Sequence, residues 1–136
     1  MDCTKVMVDF SAVGDTFPLH IVSKELSIQP TEAYKKGDLI PKKSEHITRK
    51  ETCWSISTGY QTSLCVEDQF DQILDILQNK TAKLIELKEE YNLFYKFFIV
   101  IQVENGQFPA LHLYGKIIEF ANVIKAELDF DMYYFS

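Results

Sequence analysis

A chain of 136 residues that is 46% apolar has the length of one domain and enough apolar surface for a real core, which excludes a disordered polypeptide. Its formal net charge of −6 disfavours nucleic acid and anionic membrane as partners. The cysteines, Cys3, Cys53 and Cys65, are odd in number and far apart, so neither a disulfide framework nor a zinc ribbon is expected.

The opening "MDCTKVMVDFSAV" lacks the basic and apolar regions of a signal peptide, and "LFYKFFIVIQV", the longest apolar run, is interrupted by Lys96 and too short to span a bilayer. The expectation is a cytoplasmic protein with residues 1–136 as a single domain. Residues 4–12 alternate, with Val6, Val8 and Phe10 on one side and Lys5, Met7, Asp9 and Ser11 on the other, which predicts a half-buried strand. Gly14 and Asp15 turn the chain, Pro18 opens a helix, and Leu19, Val22 and Leu26 give it an apolar stripe. "TEAYKK" predicts a short strand, residues 38–51 an exposed connection, and "TCWSIST" a strand with Trp54 and Ile56 facing inward.

From Val66 the period changes. Phe70, Ile73, Leu74 and Leu77 mark an amphipathic helix, and Thr81 is placed to cap a second one carrying Leu84, Leu87 and Tyr91. "LFYKFFIVIQV" is apolar on both faces and reads as a central strand. A last helix covers about 114–125, and "ELDFDMYYF" closes as a strand with Leu128, Phe130, Met132 and Tyr134 inward and Glu127, Asp129, Asp131 and Tyr133 outward. This order predicts an α+β two-layer sandwich: ferredoxin-like βαββαβ with an appended helix and strand, and a mixed sheet carrying its helices on one face.

"IQPTEAYKKGD", "CWSISTG", "PALHL" and "AELDFDMYY" occur in that order along nearly the whole chain. In these segments the sequence resembles the bacterial domain-of-unknown-function family 4279. Members commonly have tryptophan before the Lys-Gly-Asp step, where this chain has Tyr34. The resemblance implies a small bacterial cytoplasmic α+β domain and assigns no catalytic residue.

The residues themselves offer four candidate sites. Residues 35–50 hold six of the 14 basic residues against Asp38 and Glu45, a local charge of +4, while the remainder carries −10. "YKKGD" suggests a phosphate loop, but its glycine follows the lysines, and we expect it to end a strand. Lys35, Lys36, Asp38, Lys42 and Lys43 then act on an anionic partner through their field, with Lys35 and Lys36 on opposite sides. The alternating carboxylates of Glu127, Asp129 and Asp131, with Asp9 at a similar parity, suit either a hard cation or an edge kept soluble. His112 is isolated from other ligands and reads as structural. Trp54 and Tyr34 are candidates for an aromatic platform beside Lys36, with core packing the alternative for Trp54.

No complete catalytic constellation is present, so no cofactor or metal is expected. The leading expectation is a non-enzymatic binding module with a protein partner, immunity- or antitoxin-like; nothing in the sequence fixes the oligomeric state. The alternative is a small-molecule enzyme or ligand sensor on the open sheet face, which requires Tyr34, Lys36, Trp54 and His112 to converge.

Overall fold

The computed structural model describes residues 3–41 and 46–135. Along the chain run β1 (Lys5–Gly14), α1 (Leu19–Leu26), β2 (Glu32–Tyr34), β3 (Thr52–Ser57), β4 (Gln61–Thr62), α2 (Val66–Leu77), α3 (Thr81–Tyr91), β5 (Phe94–Glu104), α4 (Gly115–Val123) and β6 (Glu127–Phe135). A 3-10 turn at Gln78–Lys80 joins α2 to α3. The strands form one sheet in the order β2-β3-β1-β5-β6, and β4 continues the line of β3 by pairing with the start of β1. Every pairing is antiparallel except β5 with β6. The protein is therefore α+β, with a mixed six-stranded open sheet.

Alternation decides which face is covered. Val6, Val8, Phe10 and Ala12 of β1 share a face with Trp54 and Ile56 of β3 and with Tyr95, Phe97, Ile99 and Ile101 of β5; all are buried. The apolar stripes of the four helices meet that face. Val22 and Leu26, Phe70 and Ile73, Leu84 and Leu87, and Ile117 and Phe120 join the strands in one continuous core. Phe10, Tyr95, Phe97 and Phe70 stack through its centre with ring centroids 4.9–5.3 Å apart. The polar tips of the core aromatics are satisfied: Trp54 Nε1 donates to Ser23 Oγ at 2.9 Å, and the Tyr95 hydroxyl to the Leu84 carbonyl at 2.7 Å.

Several expectations are corrected. Strand β4 has only two residues, too short for a pattern to reveal. Thr81 does not cap α3; its hydroxyl donates to the Gln78 carbonyl, and the helix begins without a side-chain cap. Three helices end on non-glycine residues in the left-handed region, at Ser27, Asn92 and Lys125. Strand β5 is central but is covered on one side only, so Phe94 is exposed while Phe98 and Val100 are half-buried. Strand β6 lies at the sheet edge, where Leu128 and Met132 are half-buried and Phe130 and Tyr134 are exposed.

Candidate functional site

"YKKGD" is a strand end followed by a turn. The Asp38 amide donates to the Lys35 carbonyl at 3.0 Å, and Gly37, at φ 93°, takes the third position, which a side chain would strain. The Asp38 carboxylate accepts the Lys35 amide at 2.8 Å, Thr52 Oγ1 accepts that of Lys36 at 3.1 Å, and the Arg49 carbonyl accepts that of Gly37 at 2.9 Å. All four amides from Lys35 to Asp38 are thus engaged within the chain, and none is left to cradle a phosphate. Lys36 Nζ reaches Asp15 at 2.6 Å. Lys35 and Lys36 both border a cleft of about 710 Å³ beside Phe17 and Tyr91.

The sheet face opposite the helices is bare, and strand register sets its residues in cross-strand rows. One row runs Tyr34, Cys53, Val13, Phe94; the next Glu32, Ser55, Ser11, Lys96, Glu127; the next Ser57, Asp9, Phe98, Asp129. Met7, Val100 and Asp131 follow, then Lys5, Gln102 and Tyr133. Among the described strand residues this face therefore carries the carboxylates of Asp9, Glu32, Glu104, Glu127, Asp129 and Asp131 against the amines of Lys5 and Lys96 alone. On these strands negative charge prevails, among exposed or half-exposed aromatic rings.

At the β2 end the rows form a groove of about 620 Å³, lined by Asp9, Ser11, Glu32, Tyr34, Lys50, Cys53, Phe94, Lys96 and Phe98 among others. The Arg49 guanidinium lies over the Tyr34 ring, 3.9 Å from its centroid. Burial, with Cys53 as neighbour, pushes the Tyr34 hydroxyl up to about 12, so it stays a neutral donor at physiological pH. Burial also raises the Cys53 thiol, against the hydrogen bonds from Tyr34 and Ser11, and keeps it protonated and weakly nucleophilic. No histidine lines the groove to act as its base. Burial raises the Asp9 carboxyl too, with the neighbouring Ser57 opposing the shift, and its Oδ1 is buried without a partner among the described residues. That oxygen is an acceptor in need of a donor, on the floor of an open groove.

The structure disperses the sequence candidates. Tyr34 joins the groove. Trp54 is fully buried on the opposite face of the sheet, so it forms no platform with Tyr34. Lys36 is held at the rim by Asp15, and Lys35 and Asp38 are exposed turn residues. His112 is exposed and meets Glu67 on α2 at 2.5 Å, away from the open face. Lys42 and Lys43 lie outside the described residues. The convergence of Tyr34, Lys36, Trp54 and His112 therefore does not occur. Asp9 stands two strands from Asp129 with Phe98 between them, about 10 Å at ordinary strand spacing, so the carboxylates do not share one cation. Lys96 takes Asp129 at 3.2 Å, and among the described residues no group of three or more His, Cys, Asp or Glu is placed to hold a metal. Sequence reasoning missed the groove residues Ser11, Cys53, Phe94 and Phe98. Their signal was parity: each falls on the face that Lys5 and Asp9 mark as uncovered.

The chain belongs to the family described as Domain of unknown function (DUF4279), whose model matches residues 4–135. No curated protein and no solved structure gives a significant match. Among the described residues, no helix is long and apolar enough to cross a membrane.

Proposed function

Taking that family membership as premise, we propose that the protein is a non-enzymatic binding module whose open sheet face recognises a cationic polypeptide. The observation that carries this reading is the make-up of the open face: among the described strand residues it sets six carboxylates against two amines, around uncovered aromatic rings and an Asp9 oxygen that has no partner among the described residues. An acidic surface with apolar patches attracts a basic partner at long range and holds it by burial at short range. A small acidic domain of this kind suits an immunity- or antitoxin-like inhibitor of a basic protein, acting in a bacterial cytoplasm. The ferredoxin-like reading of the first elements draws support from the adjacency β2-β3-β1-β5, with β6 added outside β5.

The sequence-level emphasis on the basic loop shifts accordingly. Lys36 is neutralised by Asp15, and Arg49 is stacked on Tyr34, which weakens the loop's claim as the contact surface. A small-molecule sensor is the second reading, favoured by a groove volume within the range of ligand pockets. The test is a photo-crosslinking residue placed at Val100, on the open face, or at Glu89, on the helix layer, in cells that make the protein. The binding-module reading requires a basic protein captured from Val100 but not from Glu89, with capture falling as salt rises. Equal capture from both positions, or none from Val100, would overturn it.

A further inference from the structure

Strand β6 has one free edge. Its inner edge is held by β5 over all nine residues, from Glu127 to Phe135, and among the described residues no strand pairs with the other side. At about 3.3 Å per residue this is roughly 30 Å of unpaired backbone. The two sides of that edge differ in chemistry. Glu127, Asp129 and Asp131, followed by the exposed rings of Tyr133 and Phe135, point to the open face, while Phe130 and Tyr134 stand exposed on the other, and Tyr134 stacks with the exposed Phe108 at a centroid distance of 5.7 Å.

Charge on an edge keeps sheets from joining, and Glu127, Asp129 and Asp131 do this between two copies of the chain wherever the register sets these acidic segments against each other. Solubility alone, however, does not account for exposed aromatics on the same strand. An incoming strand with alternate cationic and apolar residues would satisfy both sides and the backbone at once. We propose that the β6 edge accepts such a strand from the partner, with Lys or Arg facing Glu127 and Asp131 and apolar residues covering Phe130 and Tyr134. The partner's positive charge rests on the open-face reading above; the strand geometry is new.

Three nine-residue peptides separate the two ideas when titrated into the full chain: one alternating lysine and valine, one with the same residues in two blocks, and the alternating peptide N-methylated at every second residue. Strand addition requires the alternating peptide to bind at least tenfold tighter than the other two and to slow amide exchange across residues 127–135. It also requires Asp131→Lys, with unchanged circular dichroism, to weaken that binding at least threefold. Equal binding of all three peptides, with no protection of residues 127–135, would overturn strand addition while leaving charge recognition by the open face intact. Absence of binding by every peptide would overturn strand addition and count against the open-face reading as well.

Discussion

The covered and open faces of this sheet are made by the same strands, residue by alternate residue, and they follow different rules. On the covered side Phe10, Trp54, Tyr95 and Phe97 are buried, and both the indole N–H and the Tyr95 hydroxyl have partners. On the open side Asp9, like Gln69 in the helix layer, holds a buried oxygen with no partner among the described residues, Phe94 is exposed, and on the described strand residues carboxylates outnumber amines. A face selected only for stability buries its rings and pairs its polar atoms. The open face does so only in part: Lys96 pairs with Asp129, but Phe94 and the Asp9 oxygen are left uncovered or unpaired among the described residues.

The comparison breaks most visibly if aromatic residues on the two sides prove equivalent. Trp54→Ala removes a fully buried ring and its bond to Ser23, and should cost about 3–5 kcal/mol. Phe98→Ala removes a half-buried ring from the open side and should cost about 1 kcal/mol, in keeping with its smaller burial. Urea midpoints measure both, and similar losses would mean that the open face is a core. Next in size, Tyr95→Phe keeps the packing but removes the buried hydroxyl's bond to the Leu84 carbonyl, a second bond beyond that of the α3 ladder, which should cost about 1 kcal/mol. An unchanged midpoint would show that the covered face does not depend on pairing its polar atoms.

Much of this division was legible in the sequence. Alternation in β1 named the buried residues Val6, Val8 and Phe10 correctly, and the helical period placed Phe70, Ile73 and Leu77 inward. The family resemblance is also shown. What alternation does not encode is how many faces are covered. The apolar run 93–103 reads as a strand buried twice over, and the structure covers it once, because all four apolar helix stripes go to the Phe97 side. Facing is likewise invisible without register: Tyr34 and Trp54 are both aromatic strand residues, but Tyr34 pairs with Cys53 and so lies on the face opposite Trp54. Parity marks Asp9 and Ser11 as facing outward, but which strands bring Tyr34, Cys53 and Phe94 beside them depends on register and appears only in three dimensions.

The Asp9 carboxyl gives the comparison a pH signature. Burial raises its pKa above the ordinary 3.8, Ser57 opposes the shift through a hydrogen bond, and Glu32 adds to it by repulsion. The folded state therefore holds this proton more tightly than the unfolded one. The resulting stability is fully present below pH 3.8 and is lost as pH rises through the folded-state pKa. Asp9→Asn removes that loss, so the variant should melt above the parent at pH 7 and with it at the acid end. In a titration with the alternating peptide the same variant should bind more weakly at pH 7. A variant that melts below the parent at neutral pH would show that ionised Asp9 has a stabilising partner and that the open face is satisfied after all.

The smallest effect concerns Lys36, and its sign separates the acidic face from the basic loop. Its ammonium pairs with Asp15 at 2.6 Å, but both side chains are largely exposed, at 48% and 73%. Such a pair contributes little to the fold, so Lys36→Met should move stability by less than about 0.5 kcal/mol. The turn itself should survive, because it is held by the Lys36 amide and not by the side chain. Binding should respond differently. Asp15 lines the groove, and the substitution leaves its carboxylate uncompensated at the rim, adding one negative charge to the open face. Affinity for the lysine-valine peptide should then rise about twofold at low salt, the scale of one exposed charge pair, and return to the parent value near ~1 M salt, where screening acts within ~3 Å. A decrease in partner affinity would instead assign recognition to the basic segment that begins at Lys35, and the two faces of the sheet would lose their division of labour.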